Sequence, residues 1–325
     1  MTAHVLIPCR QLQSCIDQFR GWLSDHGVTI ELPPIVQHLT EDDLVPIIGR
    51  FDAIVAGDDQ VSRKVIEAGT RLKVICKWGI GIDAIDVQAA AERNIPVYNT
   101  PGMFGEEVAD MALGYVILLA RPLHLIDRGV RDGVWTKLRG TTLAGKRVGV
   151  VGLGSIGQAV VRRLGGFGLV ALGSDPHAAP DADFDARTGL TRLPLAEMLP
   201  RVDYLIVTCN LTPDSFHLID AAALSLLKKG ARVINVSRGP VIDEKALVEA
   251  LRSGHVAGAG LDVFEEEPLP ADSPLRGFDN VILGAHNGSN THEGVDRVNV
   301  AALRNLLRGL GIAEKYPPAY ALAQE

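Results

Sequence analysis

The segment that decides the fold is Val148-Gly149-Val150-Val151-Gly152-Leu153-Gly154-Ser155-Ile156-Gly157, in which an apolar run passes directly into the pattern G-x-G-x-x-G. A helical pattern, Gln158–Leu164, follows it. In such a turn Gly152 permits the tight reversal, Gly154 lets the backbone approach a pyrophosphate, and Gly157 lets the helix pack closely on the strand. The segment therefore predicts a strand–turn–helix unit that binds a dinucleotide, although similar glycine-rich turns also occur without a ligand.

The start of that helix and the end of the next predicted strand complete the dinucleotide site. The free N–H groups of the first helical turn, at Ser155 and Ile156, are suited to phosphate oxygens. Asp175 ends the predicted strand Leu169–Ser174, 18 residues after Gly157, where a carboxylate accepts hydrogen bonds from the adenosine ribose. The same charge repels a 2′-phosphate, so the pattern favours NAD over NADP.

Short apolar runs alternate with helical patterns along the whole chain, and most runs are apolar on both faces, as in parallel strands covered by helices. The predicted strands are His4–Pro8, Val28–Leu32, Ala53–Ala56, Lys73–Cys76, Val97–Asn99, Arg147–Gly152, Leu169–Ser174, Asp203–Thr208, Ala231–Val236, Val256–Asp262 and Asn280–Gly284. This alternation predicts the α/β class, with two doubly wound parallel-sheet domains.

One break divides the predicted strands into two sets, and a second break ends the second set. The first is Asn99-Thr100-Pro101-Gly102, and the second is His286-Asn287-Gly288. A final helix, from about His292 to Leu310, returns to the first set because no further strand follows it. We therefore expect residues 1–99 with 288–325 to form one domain, and residues 100–287 to form the dinucleotide-binding domain.

Composition limits the classes of function. The chain has 325 residues, of which 47% are apolar and 22% charged, and a formal net charge of -7. It is therefore a folded chain of about two domains, and its net charge disfavours nucleic acid or anionic membranes as partners. The longest apolar run, Met111–Ala120, is too short to cross a bilayer. The amino-terminal residues show no signal-peptide pattern, so we expect a cytoplasmic protein.

The cysteines give no sign of a disulfide framework or a metal site. Cys9, Cys15, Cys76 and Cys209 are scattered, and neither C-x-x-C nor H-E-x-x-H occurs. We expect reduced thiols and no bound metal.

Three polar residues in the second half follow predicted strands, where α/β sheets bind their ligands: Arg238, Glu267 and His286. A carbonyl that accepts a hydride needs a cation to polarise it and a proton donor. A guanidinium and an imidazole supply these, and a carboxylate on the second imidazole nitrogen fixes the tautomer. Taken singly, each residue also fits an ordinary surface or loop role.

Together these motifs resemble the D-isomer-specific 2-hydroxyacid dehydrogenases, including phosphoglycerate dehydrogenase-like and glyoxylate/hydroxypyruvate reductase-like members. The similarity extends over nearly the whole chain. The matching segments outside the glycine loop are Lys77-Trp78-Gly79-Ile80-Gly81-Ile82-Asp83, Asn99-Thr100-Pro101-Gly102, Arg131-Asp132-Gly133-Val134-Trp135, Asp175-Pro176, Ile234-Asn235-Val236-Ser237-Arg238-Gly239, Val241-Ile242-Asp243-Glu244, Ala246-Leu247, Gly258-Ala259-Gly260-Leu261-Asp262-Val263-Phe264, Glu267-Pro268 and His286.

The resemblance implies a flavodoxin-like substrate domain, an inserted Rossmann domain and an active site in the cleft between them. It further implies that Arg238 holds the carboxylate and carbonyl of a small 2-hydroxy or 2-keto acid. His286 would be the acid/base, paired with Glu267. The backbone N–H groups of Ile80 and Gly81 would bind the substrate carboxylate.

For the cofactor, NAD, the resemblance implies further contacts. Asp262 would hold the nicotinamide carboxamide, and three residues would lie along the cofactor, namely Thr208, Cys209 and Ser237. Relatives use the region Arg121–Arg147 as a dimer arm, so we expect a homodimer that buries Trp135.

Two positions depart from the family pattern in ways that bear on the substrate. Lys77 stands just before the carboxylate loop and is interpreted either as a solvated lysine or as a contact for a second anionic group, as in a phosphorylated or dicarboxylate acid such as 3-phosphoglycerate. Asn287 either contacts substrate or caps the following turn.

Two alternatives to this enzyme stay open: an NADH-sensing corepressor on the same fold and a phosphite-type dehydrogenase. Formate dehydrogenases carry glutamine where Glu267 stands, which disfavours that branch.

Overall fold

The computed structural model describes residues 2–135 and 137–318. The chain divides into two compact units, one containing residues up to Met103 and from Asn290 onward, the other containing Phe104–Ser289. Each unit contains one parallel β-sheet with helices. The predicted α/β class with two parallel-sheet domains is confirmed.

The first unit contains a five-stranded sheet in the order β2-β1-β3-β4-β5, with every neighbouring pair parallel. This is the flavodoxin-like order. Its elements are β1 (Ala3–Leu6), α1 (Arg10–Ser14), α2 (Asp17–Asp25), β2 (Val28–Glu31), α3 (Glu41–Leu44), β3 (Ala53–Ala56), α4 (Arg63–Ala68), β4 (Val74–Lys77), α5 (Val87–Glu92), β5 (Val97–Tyr98) and, from the far end of the chain, α13 (His292–Gly309).

The last helix, α13, packs directly on this sheet. A Cβ built on Gly309 would lie 2.2 Å from Val74 of β4, so only glycine allows so close an approach. Asn299, fully buried in α13, accepts a 2.7 Å hydrogen bond from the indole of Trp78 and donates to the Cys15 thiol at 2.9 Å. The two ends of the chain therefore share one core.

The second unit contains a seven-stranded parallel sheet in the order β12-β11-β10-β9-β6-β7-β8. Counted from its first strand, this is the Rossmann order with one strand added, and the order reverses between β6 and β9. Its elements are α6 (Gly105–Ala120), α7 (Leu123–Arg131), β6 (Arg147–Val151), α8 (Ser155–Leu164), β7 (Val170–Ser174), α9 (Ala182–Thr188), β8 (Thr191–Arg192), α10 (Leu195–Met198), β9 (Tyr204–Val207), α11 (Ala221–Leu226), β10 (Ala231–Asn235), α12 (Glu244–Arg252), β11 (Val256–Leu261) and β12 (Val281–Leu283).

Several element bounds differ from the sequence patterns. The apolar residues of Gln11–His26 have helical spacing that predicts one helix, but this segment forms two, α1 and α2, because Cys15 leaves the helical region with φ −128° and ψ 16°. Helix α8 begins at Ser155 rather than Gln158, since Gly154, with φ −71° and ψ −163°, is its N-cap. Strand β8 has only two residues, too few to show any periodicity.

The segment that joins the two units stays with the first one. The backbone N–H of Thr100 donates to Gly79 O at 2.9 Å, and Arg297 of α13 donates to Met103 O at 2.8 Å. These bonds explain why the unit ends at Met103 rather than at residue 99.

Among the described residues, no single helix is long and apolar enough to cross a membrane. Helices α6 and α7 satisfy the length and composition criteria only when combined, and they are bent by 67° relative to each other.

Candidate functional site

The glycine loop lies at the carboxyl end of β6, where the strand order of the second sheet reverses. Gly152 has φ +90°, and a Cβ there would lie 2.7 Å from Cys209 Cα. A Cβ on Gly157 would lie 2.0 Å from Gly152 O. A Cβ on Gly154, by contrast, would meet no atom of the described residues within 4 Å. The fold itself therefore requires Gly152 and Gly157, whereas Gly154 borders open space.

That open space adjoins the start of α8. Ser155 and Ile156 occupy its first turn, where N–H groups have no partner within the helix and attract anions. A phosphate group fits this position because it can approach the backbone at Gly154 without a side chain in its path.

Asp175 follows β7 and borders the same loop. Its Oδ2 accepts the N–H of Leu153 at 2.8 Å, and its Oδ1 accepts the N–H groups of His177 and Ala178 at 2.8 and 3.1 Å. Burial raises the pKa of Asp175, but these three hydrogen bonds outweigh it and hold the pKa below its usual value. The residue is therefore a carboxylate at neutral pH.

An open groove of about 710 Å³ runs along this carboxylate, lined by Leu153, Gly154, Gln158, Asp175, His177, Ala178, Ala179, Pro180, Asp181, Ala182 and Asp183. Three of its lining residues are aspartates. The groove therefore has room for an adenosine and an electrostatic bias against a further phosphate on the ribose.

The neighbouring strands place further polar groups at the same edge. The hydroxyl of Thr208, which follows β9, donates to the carbonyls of Val151 and Gly152 at 3.0 and 2.8 Å. Next to it, burial raises the pKa of the Cys209 thiol to about 11. Ser237, which follows β10, is buried and donates to the side chain of Asn235 at 2.8 Å.

His286 and Glu267 form a pair in the second unit. His286 Nδ1 lies 2.8 Å from Glu267 Oε2, and about a quarter of each side chain is exposed, 23% and 22%. Glu267 Oε1 accepts the N–H of Phe264 at 3.0 Å, which fixes the carboxylate. With its Nδ1–H donated to Glu267, neutral His286 presents an Nε2 lone pair, and protonated His286 presents an Nε2–H.

The loop that carries Arg238 touches the loop that carries Glu267. A Cβ on Gly239 would lie 1.8 Å from the carbonyl carbon of Phe264, so the two backbones are in direct contact. Arg238 is half-buried, and one of its terminal nitrogens donates to Ser237 O at 2.9 Å. Asn235 donates to Arg238 O at 2.9 Å and anchors the turn. The structure thus gathers Arg238, Glu267 and His286 at the carboxyl ends of β10, β11 and β12.

The first unit contains a separate backbone feature at Gly79-Ile80-Gly81. The carbonyl of Gly79 accepts from Thr100, and the carbonyl of Ile80 accepts from Asn99 at 2.7 Å. In a trans peptide the N–H points opposite to the C=O. The N–H groups of Ile80 and Gly81 therefore both point away from the 99–100 segment, side by side, as in anion-binding backbone concavities.

Comparison with known proteins identifies the family. The family model described as D-isomer specific 2-hydroxyacid dehydrogenase, NAD binding domain, matches residues 113–288, more than half of the chain. A hydroxypyruvate reductase of Thermotoga maritima is 37% identical over 288 residues, which cover 87% of this chain and 92% of that protein. The chain belongs to the D-isomer specific 2-hydroxyacid dehydrogenases.

Other members of this family agree with the assignment. A D-3-phosphoglycerate dehydrogenase of Methanocaldococcus jannaschii is 38% identical over 277 residues, covering 83% of this chain and 52% of that protein. The crystal structure of a glyoxylate reductase from Paecilomyes thermophila superimposes with a TM-score of 0.84 at 28% identity, covering 100% of this chain and 99% of that one. The protein is an NAD-dependent D-2-hydroxyacid dehydrogenase, as expected from its sequence.

Within this dehydrogenase the interpretation of Lys77 as a solvated lysine is wrong. Its side chain, at the end of β4, is only 5% exposed, and its Nζ is 3.0 Å from the Asp58 carboxylate. The same ammonium donates to Trp78 O at 3.1 Å, and a Cβ on Gly79 would lie 3.6 Å from it. Burial raises the pKa of the adjacent Asp59, an effect that the charge of Lys77 partly offsets.

Sequence patterns did not single out Asp58 or Tyr115. Asp58 stands in a loop whose geometry no periodicity reveals. Tyr115 lies in the apolar pattern of α6, where an aromatic residue indicates only core packing.

Three side chains of the types that bind metal ions lie close together elsewhere in the second unit. They are His217, Asp243 and Glu265, and their potential ligand atoms lie within 4.8 Å of one another. Glu265 Oε1 is paired with His217 at 2.9 Å and also accepts the N–H of Glu244 at 3.1 Å. These bonds account for the cluster as a support for the loop that continues to Glu267.

Proposed function

We propose that this dehydrogenase reduces a small, unphosphorylated 2-keto acid of the glyoxylate or hydroxypyruvate type with NADH. The observation that carries the proposal is the 2.8 Å His286–Glu267 pair next to the loop of Arg238. Curated relatives of the chain include a hydroxypyruvate reductase, and the solved relatives include a glyoxylate reductase.

In this proposal the acid/base is His286. Because Glu267 accepts the Nδ1–H, the proton that is transferred sits on Nε2. In reduction, protonated His286 delivers that proton to the carbonyl oxygen and becomes neutral; in oxidation, neutral His286 removes the hydroxyl proton. The Arg238 guanidinium stabilises the negative charge that develops on the oxygen.

The substrate carboxylate is assigned to Arg238 and to the paired N–H groups of Ile80 and Gly81. Their peptide orientation supports this role, since Asn99 and Thr100 bind both adjoining carbonyls. Holding a carboxylate by backbone dipoles and a guanidinium leaves the keto carbon free to react.

For NAD, the residues present fit the cofactor. The loop Gly152, Gly154 and Gly157 with the first turn of α8 would hold the pyrophosphate, and Asp175 the ribose. Asp262 is assigned to the nicotinamide carboxamide, while Thr208, Cys209 and Ser237 line the remaining length. When bound, NADH supplies the hydride that reduces the keto carbon.

The electrostatics around Lys77 support an unphosphorylated substrate. The ammonium is the cation nearest the carboxylate loop in sequence, yet it is paired with Asp58 at 3.0 Å and lies beside Asp59. A second anionic group on the substrate, placed next to Lys77, would face one ammonium and the two carboxylates of Asp58 and Asp59, so repulsion would outweigh attraction. A dianion such as a phosphorylated acid is therefore disfavoured relative to glyoxylate or hydroxypyruvate.

A homodimer is proposed from the surface of α7 and the segment after it. Helix α7 buries none of its residues, and a set of large apolar side chains is exposed there: Leu123 (44%), Val130 (46%), Val134 (52%), Trp135 (81%) and Leu138 (40%). Covering this patch with a second copy would bury it. We also propose a cytoplasmic location, since Cys9, Cys15, Cys76 and Cys209 are free thiols, as is typical of a reducing compartment.

The test is NADH oxidation with glyoxylate, hydroxypyruvate, 2-oxoglutarate and phosphohydroxypyruvate, using wild type and Asp58→Asn. We expect the highest kcat/KM with glyoxylate or hydroxypyruvate, and a gain of about tenfold for the phosphorylated acid alone in Asp58→Asn, because the variant frees the charge of Lys77. Asp42→Asn, an exposed carboxylate in α3, is the matched control.

Three results would contradict the proposal. NADH binding without turnover on every acid would indicate a sensor. Reduction of NAD⁺ by phosphite, without turnover of any keto acid, would indicate the phosphite branch. A wild-type preference for the phosphorylated acid would refute the inferred substrate class.

A further inference from the structure

The carboxylate of Asp262 holds the turn that carries His286. Asp262 follows β11 and is 2% exposed. Its Oδ1 accepts the N–H of Asn287 at 3.0 Å, and its Oδ2 accepts the N–H of Gly288 at 2.8 Å. Its backbone carbonyl accepts the N–H of His286 itself at 2.7 Å. Three successive N–H groups therefore converge on one residue.

These bonds hold His286 in an unfavourable backbone conformation. Its φ is +51°, in the left-handed region that residues other than glycine seldom adopt. A non-glycine residue stays there only when its surroundings impose the conformation. The position of the imidazole thus depends on where the Asp262 carboxylate lies.

Tyr115, on α6, reaches the same carboxylate from the other side. Its hydroxyl donates to Asp262 Oδ1 at 3.4 Å. Burial raises the pKa of Tyr115, and the charge of Asp262 raises it further, so the hydroxyl keeps its proton and acts as a donor. Asp262 Oδ1 is therefore shared between the Asn287 N–H and the Tyr115 hydroxyl.

Glycines on the adjoining strands make this contact possible. A Cβ on Gly284, two residues before His286, would lie 2.3 Å from Asp262 Oδ1 and 2.4 Å from the Tyr115 hydroxyl. A Cβ on Gly260 would lie 2.7 Å from the Tyr115 ring. The aromatic ring therefore fills the space that two missing side chains leave.

We propose that Tyr115 is a positioning residue for His286 and acts through Asp262. The proposal rests on the proposed acid/base role of His286 and adds a residue that touches none of the reacting atoms. Removing the hydroxyl takes one donor from Oδ1, so the carboxylate shifts and the turn 286–288 loses its fixed geometry.

The test compares Tyr115→Phe with Tyr204→Phe. Tyr204, on β9 of the same unit, is 1% exposed, and its hydroxyl has no hydrogen-bond partner among residues 2–135 and 137–318. Both variants remove one buried hydroxyl and keep the ring, but only Tyr115→Phe removes a bond to Asp262. The reaction is NADH oxidation with the best 2-keto acid of the wild-type enzyme.

For Tyr115→Phe we expect kcat to fall about fivefold to tenfold, as for loss of a hydrogen bond to a charged acceptor. The KM of the keto acid should stay within about twofold of wild type, because Tyr115 makes none of the proposed substrate contacts. The Kd of NADH should rise by less than kcat falls, because Asp262, also assigned to the nicotinamide carboxamide, keeps its bonds to Asn287 and Gly288. The solvent deuterium isotope effect on kcat should rise, since a misplaced imidazole slows proton transfer. Tyr204→Phe should match wild type in all four quantities.

Two results would overturn the proposal: wild-type kcat and isotope effect in Tyr115→Phe, or a loss seen only as weaker NADH binding, which would tie Tyr115 to the cofactor instead. If Tyr115→Phe fails to fold, Gly284→Ala is measured in its place. Its Cβ forces Tyr115 and Asp262 apart, so we expect the same fall in kcat and the same rise in the solvent isotope effect.

His286→Ala is measured in the same series. If it keeps turnover, the acid/base assignment fails; if it is inactive while Tyr115→Phe behaves as wild type, only the positioning role fails.

Discussion

Replacing Asp175 with asparagine should change the cofactor preference of the enzyme. The carboxylate accepts three backbone N–H bonds, and its pKa lies below the usual value, so it carries a full charge at neutral pH. Two unit charges about 4 Å apart interact by ~1 kcal/mol in water and ~4 kcal/mol at an effective dielectric of 20. Because the groove is open, the lower part of that range applies.

A ribose 2′-phosphate has a charge close to -2, so the carboxylate disfavours NADPH by about 2 to 4 kcal/mol. Removing the charge should therefore raise kcat/KM for NADPH by about 30-fold to 1000-fold. NADH should lose part of a charged hydrogen bond to its ribose, about 1 to 2 kcal/mol. We expect the NADH-to-NADPH ratio of kcat/KM to fall by about two to four powers of ten.

The assay is initial-rate NADH and NADPH oxidation at fixed keto acid, with thermal melting to show that the variant is folded. Asp183→Asn is the matched control, since Asp183 lines the same groove and is exposed. It removes the same charge but none of the bonds to Leu153, His177 and Ala178. An unchanged cofactor ratio in folded Asp175→Asn, or an equal change in Asp183→Asn, would refute the assignment of the ribose to Asp175.

Three further outcomes follow from the same geometry. His286→Ala should lower kcat by about two to four powers of ten while the Kd of NADH, measured by fluorescence, persists; wild-type turnover would remove His286 from proton transfer. Arg238→Ala should raise KM and lower kcat together, because its charge serves both bound substrate and transition state; a change in only one of them would contradict that dual role. Cys209, whose pKa is raised to about 11, should be only about a thousandth thiolate at pH 8, so mass spectrometry should find it unlabelled by iodoacetamide there and labelled faster as pH rises. Rapid labelling at pH 8 would show that the thiol is not buried as described.

The sequence predicted the fold because most strands of the second unit have a local signature. The run from Val148 to Gly157 specifies its strand, its turn and its helix in ten residues. Parallel strands that are buried on both faces also appear as apolar runs, so the positions of most strands along the chain were accessible. The two-residue strand β8 and the break at Cys15 were not, since neither leaves a periodic pattern.

The site was predictable where residues follow strands and unpredictable where loops approach one another. Glu267 and His286 were expected to pair through the family resemblance, and the structure places them 2.8 Å apart. The pairing of Lys77 with Asp58 joins the end of β4 to a loop 19 residues earlier in the chain. The contact of Tyr115 with Asp262 depends on a helix 147 residues away. No periodicity encodes such distances.

The packing of α13 on β4 has a consequence for how the chain matures during synthesis. The second unit is contiguous, so it can close its sheet as soon as Ser289 leaves the ribosome. The first unit, although translated first, lacks the buried Asn299 and the Gly309–Val74 contact until the last helix emerges. Nascent domains usually mature from the amino terminus onward. Here we expect the reverse order. The strands of the first unit keep hydrophobic surface exposed until α13 has been synthesised.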